Sequence, residues 1–324
     1  MTNDTEQMQA ITIPDFGGAE VLRFAAIDIP VPGPGQVAID VQYAGANFAE
    51  ILYRQGVVDV PLPFVPGIEV SGRIRALGPE VAGLRVGQPV AALTIVDSGG
   101  YAEVVVTSAE LVAPLDDYDL APSTAAALPS NSTTAFLVLD RVARIEPGER
   151  VLIHAAAGGV GSQLGQAARL LGAGRVVGTV GSAAKVEAAR HFGYDEVVVR
   201  DQLDGTGEFD IVVDMVGGGN RQDSLDRLAP MGRLVVMGNA SGAEDVGLSA
   251  NALWFANKTV SGFNLAAFAG AYPEAAGRAL RRAVGAAARG DLRVQVETVP
   301  WDGVAEVHRR IETGATTGKI VLAV

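Results

Sequence analysis

Between positions 37 and 43 the chain sets apolar Val37, Ile39, Val41 and Tyr43 on one side of an extended backbone, with Asp40 and Gln42 on the other. Preceded by the turn Pro32-Gly33-Pro34-Gly35, that period of two predicts a half-buried strand. Short β-like runs of this kind, punctuated by Gly and Pro, continue from Thr12 to about Pro114. They predict an irregular, β-rich domain.

The texture changes over about 130–264, where compact apolar runs alternate with helical periodicity. Runs at 151–154, 176–180, 196–199, 211–216, 234–237 and 259–263 predict six strands that pair in parallel under helices on both faces. That count suits a doubly wound α/β (Rossmann) domain. Beyond it lie an Ala-rich helix over 274–288, a helix over 304–311 and a terminal run Ile320-Val321-Leu322. A lone strand needs a sheet to join, so the C-terminus is expected to return to the first domain and make it discontinuous. The expected division is 1–129 with 268–324 for the β-rich domain and 130–267 for the α/β domain. A length of 324 residues exceeds what one core usually serves, which agrees with two.

The run at 151–154 leads into Ala155-Ala156-Ala157-Gly158-Gly159-Val160-Gly161, after which Leu164, Ala167, Ala168 and Leu171 share a helix face. Strand, glycine turn and helix together make a dinucleotide fingerprint, with alanine in place of its first glycine. Gly158 would let the backbone approach a pyrophosphate and Gly161 would let helix pack on strand, with the helix N-terminus facing the negative charge. The bland alternative is a turn that binds nothing; consecutive glycines at a helix start argue against it.

An NAD site would place an acid about 20 residues after the turn, on the ribose 2′-hydroxyl. The second strand and its sequel, Val176 to Lys185, contain none and offer Thr179, Ser182 and Lys185 instead. Hydroxyls and a cation suit a 2′-phosphate, so NADPH is the expected cofactor. Most lysines are plain surface residues, and it is the missing acid that decides the choice.

Composition then removes several chemistries. A formal net charge of -12 repels nucleic acid and anionic lipid. The absence of cysteine removes disulfides, thiol nucleophiles and thiolate zinc sites, and His154, His191 and His308 lack the short spacing of a common metal site. The polar, acidic start lacks a signal-peptide pattern and no apolar stretch reaches the roughly 18 residues of a membrane span, so a cytoplasmic protein is expected.

With these motifs assembled, the chain resembles the medium-chain dehydrogenase/reductase superfamily, specifically its zinc-independent quinone oxidoreductase branch, over essentially its whole length. The glycine turn followed by Gly178-Thr179-Val180-Gly181-Ser182 carries the resemblance most specifically. Supporting it are Gly45-Ala46-Asn47-Phe48-Ala49-Glu50, Pro66-Gly67-Ile68-Glu69-Val70-Ser71-Gly72, Gly99-Gly100-Tyr101-Ala102-Glu103, Thr134-Ala135 and Gly318-Lys319-Ile320-Val321-Leu322.

The resemblance implies a GroES-like β-rich domain, with Asn47 and Thr134 at the nicotinamide end of the site. It further implies Gly238-Asn239 and Phe263-Asn264 closing over a cofactor held at Ala156, Gly158, Gly159, Val160 and Gly161, and a homodimer through the edge near 259–264. Zinc relatives carry a cysteine near Ala46 or Asn47 and a histidine where this chain has Ile68, so no metal is expected. The branch often has tyrosine where Leu52 stands. Tyr53, the next residue, is the candidate proton donor, with a packed aromatic as its alternative and water as the other proton source.

The activity so implied is metal-free hydride transfer from NADPH to a small hydrophobic quinone or α,β-unsaturated carbonyl. An enoyl-thioester reductase is the nearest alternative, although its phosphate-bearing substrates need a basic rim that this composition does not advertise. A non-enzymatic NADPH-binding protein, with Leu52 marking lost chemistry, is the third. Asp214, His154, Trp254, Phe255 and Phe268 are read blandly, as loop orienter, satisfied strand-end histidine and core or interface aromatics.

Overall fold

The computed structural model describes residues 6–324. The chain forms two compact units: one takes everything described up to Thr133 together with Leu265–Gly290 and Val294–Val324, and the other Thr134–Asn264 with Asp291–Arg293.

In the first unit, β1 (Gln7–Thr12) and β2 (Arg23–Asp28) pair antiparallel as a separate ribbon. A larger antiparallel array follows from β3 (Gln36–Gly45), β4 (Glu69–Leu77), β5 (Pro89–Leu93), β6 (Val104–Ser108) and β7 (Val112–Pro114). The period of two in β3 is real, but its second face is not left to water. Val37, Ile39 and Val41 join the main core with Val70, Ile74 and Val90, while Ala38 packs against Met8, Ala10, Ala102 and Val104 on the opposite side. Two layers cover β3, so a small side chain serves where a solvated strand would carry a polar one.

The second unit is a six-stranded sheet of β8 (Arg150–Ile153), β9 (Arg175–Val180), β10 (Glu196–Val199), β11 (Phe209–Asp214), β12 (Leu228–Val236) and β13 (Thr259–Gly262). All neighbours run parallel, in the order β10-β9-β8-β11-β12-β13. The order reverses between β8 and β11, and ligands of doubly wound sheets bind outside the strand C-termini at such a switch point. The expected fifth strand, at 234–237, begins earlier, at Leu228. Its partner register jumps from Phe209↔Leu228 to Ile211↔Arg233, so residues 229–232 bulge out with Met231 exposed at positive φ.

The last two strands, β14 (Val296–Pro300) and β15 (Lys319–Ala323), return to the first unit. β15 pairs antiparallel with β3, Val321 opposite Gly45, so the terminal run does find a sheet and the β-rich unit is discontinuous. β14 was not expected from the sequence. It lies parallel to β15 at the sheet edge, and its mostly exposed residues carry no burial pattern.

Candidate functional site

The glycine turn sits at the C-terminal end of β8. Ala155 takes a positive φ of 54°, and Ala156 N donates to Thr179 O at 2.8 Å, tying the turn to β9. A Cβ on Gly178 would stand 2.7 Å from the Ala156 methyl. Glycine in the neighbouring strand thus makes room for the alanine that replaces the fingerprint's first glycine.

A Cβ on Gly161 would fall 2.2 Å from Ala155 O, so the helix Gly159–Leu170 can approach β8 only with glycine there. Tyr194 braces the contact by donating its hydroxyl to Gly161 O at 2.6 Å. Gly158 is different. A Cβ there would meet only Ala155 O at 3.3 Å, so packing barely demands a bare backbone at the helix cap. No side chain caps this helix, whose first-turn N–H groups point outward with the positive end of its dipole. An uncapped helix start behind an optional glycine fits an anion such as a pyrophosphate.

The other expected cofactor residues gather along the same sheet edge. Ser182 is exposed beyond β9, without a capping bond from its side chain, and Lys185 is half-buried, its ammonium pushed toward the neutral form by that burial. Gly238 and Asn239 follow β12, where Arg221 Nη2 donates to Gly238 O at 3.1 Å and Asn239 Nδ2 to Ala243 O at 2.8 Å. Phe263 N donates to Val236 O at 2.9 Å, which sets Phe263 and Asn264 just past the β13 end.

Thr179 takes a different place from that expected of a cofactor hydroxyl. It is fully buried, and its Oγ1 bonds His154 Nδ1 at 2.8 Å. Ser224 Oγ gives its one hydrogen to Asn220 O at 2.6 Å, so His154 Nε2 carries the ring proton and donates to Ser224 at 3.0 Å, leaving Nδ1 to accept from Thr179. Desolvation pushes the imidazole down to about 4, against the pull of Asp214. His154 is a neutral spacer joining β8, β9 and the helix Gly219–Asp226. Asp214 is likewise structural: its buried carboxylate accepts from Val216 N, Gly217 N and Asn220 Nδ2 at 2.8, 3.1 and 2.9 Å and so shapes the loop after β11.

In the first unit, Asn47 stands at the N-cap of the helix Phe48–Arg54 without capping it. Its Nδ2 donates to Glu69 Oε1 at 2.9 Å, and its Oδ1 accepts from Lys319 Nζ at 2.5 Å. Lys319 also pairs with Glu69 directly, and Glu69 Oε2 accepts from Ser130 N at 2.6 Å. Glu50, one turn along the helix, accepts from Ile68 N at 3.2 Å through Oε1, while its Oε2 is buried without a partner. Burial pushes Glu50 up to about 7, outweighing the pull of Lys319.

Tyr53 is half-buried, edge-on to Phe64 with ring centroids 5.5 Å apart, and burial with the Glu50 charge pushes its phenol up to about 12. That is the packed aromatic and a weak acid. Thr134 is buried in the second unit, within the helix Asn131–Phe136. Sequence reasoning missed the polar network around Asn47. Lys319, Glu69 and Glu50 stood only inside quoted motifs, and nothing local says that they meet.

Comparison with known proteins agrees with this architecture. The alcohol dehydrogenase GroES-like domain family matches residues 33–117, and the zinc-binding dehydrogenase family matches residues 192–322. A quinone oxidoreductase of Pseudomonas aeruginosa is 33% identical over 324 residues, covering 95% of this chain and 97% of the relative. A synaptic vesicle membrane protein VAT-1 homolog-like protein of Mus musculus is 35% identical over 249 residues, 74% of this chain but only 58% of the relative. Among solved structures, the Escherichia coli quinone oxidoreductase complexed with NADPH superposes with a TM-score of 0.87 at 27% identity, covering 98% of this chain and 100% of that one.

The chain belongs to the medium-chain dehydrogenase/reductase superfamily, in its zinc-independent quinone oxidoreductase branch. One matched family is described as zinc-binding, and the residues present do not fit zinc. The chain has no cysteine, Ile68 precedes Glu69, and among the described residues no group of three or more His, Cys, Asp or Glu could hold a metal ion. The Lys319 ammonium sits on Glu69 instead. Among the described residues no helix is long and apolar enough to cross a membrane.

Proposed function

We propose that this oxidoreductase reduces a small hydrophobic quinone or α,β-unsaturated carbonyl with NADPH. The observation that carries the reading is the glycine turn, bare at Gly158 where packing barely requires it and followed by a strand end without an acid. Bound NADPH supplies a hydride from its nicotinamide C4 to an electron-poor carbon. The chain's part is to hold the pyrophosphate at Gly158, Gly159, Val160 and Gly161 against the helix N-terminus and to meet the 2′-phosphate beyond β9. The fold neighbour that is an NADPH complex supports this choice of cofactor.

A conjugated acceptor suits a site with no Lewis acid, because its β-carbon is electrophilic already and charge spreads to oxygen as hydride arrives. Glu69 and Lys319 grip the Asn47 carboxamide from both ends, so Asn47 meets whatever it touches from a fixed position. Glu50 holds a proton near neutrality beside it. Tyr53, with its raised phenol, is a poor proton donor, which favours water over it as the proton source.

The test is to follow nicotinamide absorbance with a panel of small quinones, enones and crotonyl thioesters. Turnover on quinones or enones is expected. A strong preference for the thioester, or tight NADPH binding with no acceptor reduced, would replace this reading by a thioester reductase or a non-enzymatic binder.

The second unit also offers a surface for a second copy. β13 is an unpaired edge of the parallel sheet, and the preceding helix, Ala250–Ala256, exposes Trp254 and Phe255 at 71% and 76%, stacked with centroids 4.7 Å apart. An open edge beside an exposed aromatic pair is what a homodimer would cover.

A further inference from the structure

Two loops meet beside the point where the strand order reverses. The loop after β12 runs along the loop after β11: Met237 N donates to Asp214 O at 2.9 Å, Ala240 N to Met215 O at 3.0 Å and Ser241 N to Val216 O at 2.9 Å. A Cβ on Gly217 would overlap the Asn239 carboxamide, and one on Gly218 would stand 2.8 Å from the Ala243 methyl, so the second loop seats on bare backbone. The Asn239 carboxamide is spent inside its own loop, donating to Ala243 O at 2.8 Å and accepting from Ser241 Oγ at 3.2 Å.

One side chain fastens both loops. Arg221, 7% exposed on the helix Gly219–Asp226, donates to Asp214 Oδ2 at 3.4 Å, to Gly238 O at 3.1 Å and to the Asp245 carboxylate. Asp214 ends β11, Gly238 follows β12, and Asp245 lies farther along in a stretch without regular structure. The two carboxylates differ in burial. Asp214 is fully buried, whereas Asp245 is 76% exposed, so the inner contact is fixed and the outer one can open at little cost.

A dinucleotide on such a sheet lies across the switch point between β8 and β11. With its pyrophosphate at the β8 turn and its adenosine half toward β9, its nicotinamide half falls on the side of β11 and β12, against these two loops. We propose that Arg221 is a positioning residue for hydride transfer and Asp245 its releasable catch, the pair holding the two loops as one wall behind the nicotinamide. The assignment rests on the NADPH reading of the glycine turn. It differs in leaving the adenosine half of the cofactor untouched.

The experiment is calorimetric titration of the native protein, Asp245→Ala, Arg221→Gln and Arg221→Lys with NADPH and with adenosine 2′,5′-bisphosphate, beside thermal melts and limited proteolysis. A wall in place for only a fraction of the time raises the dissociation constant by the inverse of that fraction. Asp245→Ala is expected to weaken NADPH by about 3- to 10-fold and Arg221→Gln by about 10-fold or more, with the bisphosphate within about twofold in both. Arg221→Lys should recover part of the loss. Cleavage within 240–249 should be faster in Asp245→Ala and slowed by NADPH. Asp245→Ala changes an exposed side chain and should melt with the native protein, which keeps the test open if Arg221→Gln fails to fold. Equal weakening of NADPH and the bisphosphate would make Arg221 merely structural and overturn the assignment, as would undiminished NADPH binding by Asp245→Ala. A native protein that binds both ligands, with variants that match it, would overturn the role of Arg221 alone. One that binds neither would overturn the glycine-turn site as well.

Discussion

Lys319 and Glu69 form an ion pair whose side chains are 3% and 0% exposed, with the Asn47 carboxamide bridging them. The pair joins β15 to β4 across β3, the strand that lies between them. Removing one member leaves the other charged and buried. Lys319→Met is expected to lower stability by about 3–5 kcal/mol, and adding Glu69→Gln should restore most of it. Urea unfolding of both variants checks this; a double variant no better than the single one would show that the pair does not act as a unit.

Glu50 makes stability depend on pH in a direction opposite to most carboxylates. Its folded pKa of about 7 lies above its usual 4.5, so the native state holds a proton that the unfolded chain releases. That contribution is fully present below about pH 4.5 and is lost as pH rises through about 7, up to about 3 kcal/mol. Glu50→Gln should flatten the melting temperature between about pH 5 and pH 8. An unchanged profile would mean that Glu50 is ionised throughout.

Gly161 and Gly158 separate what the fold needs from what a ligand needs. Gly161→Ala forces a methyl to within 2.2 Å of Ala155 O and should destabilise the chain by about 2 kcal/mol or more. Gly158→Ala meets its nearest atom at 3.3 Å and should cost about 1 kcal/mol or less, while weakening NADPH at least about tenfold. Thermal melts paired with cofactor titration distinguish them. Undiminished NADPH binding by Gly158→Ala would remove the ligand argument from that position.

Sedimentation should give about twice the 33.4 kDa chain mass. Trp254→Asp combined with Phe255→Asp should yield a folded monomer, since within one chain both side chains are exposed and only a partner would cover them. A native monomer would refute the dimer through the β13 edge.

The parallel sheet was legible because buried strands announce themselves as apolar runs bounded by glycine, and the turn at 155–161 is a local motif with a local purpose. The sequence alone therefore determined the fold class, the dinucleotide fingerprint and the absence of thiolate zinc chemistry. It misjudged Thr179, because a hydroxyl in a strand does not declare which face it will take; His154 claims it only once β8 and β9 are side by side. It missed β14, whose exposed edge leaves no burial pattern. Tertiary structure alone decided which distant charges would meet. Arg221 reaches Asp245 only because β12 docks beside β11, and Lys319 reaches Glu69 only because the chain end returns to β3. Such pairings depend on strand order, and strand order is set by the packing of whole elements, whose energies no single stretch of sequence contains.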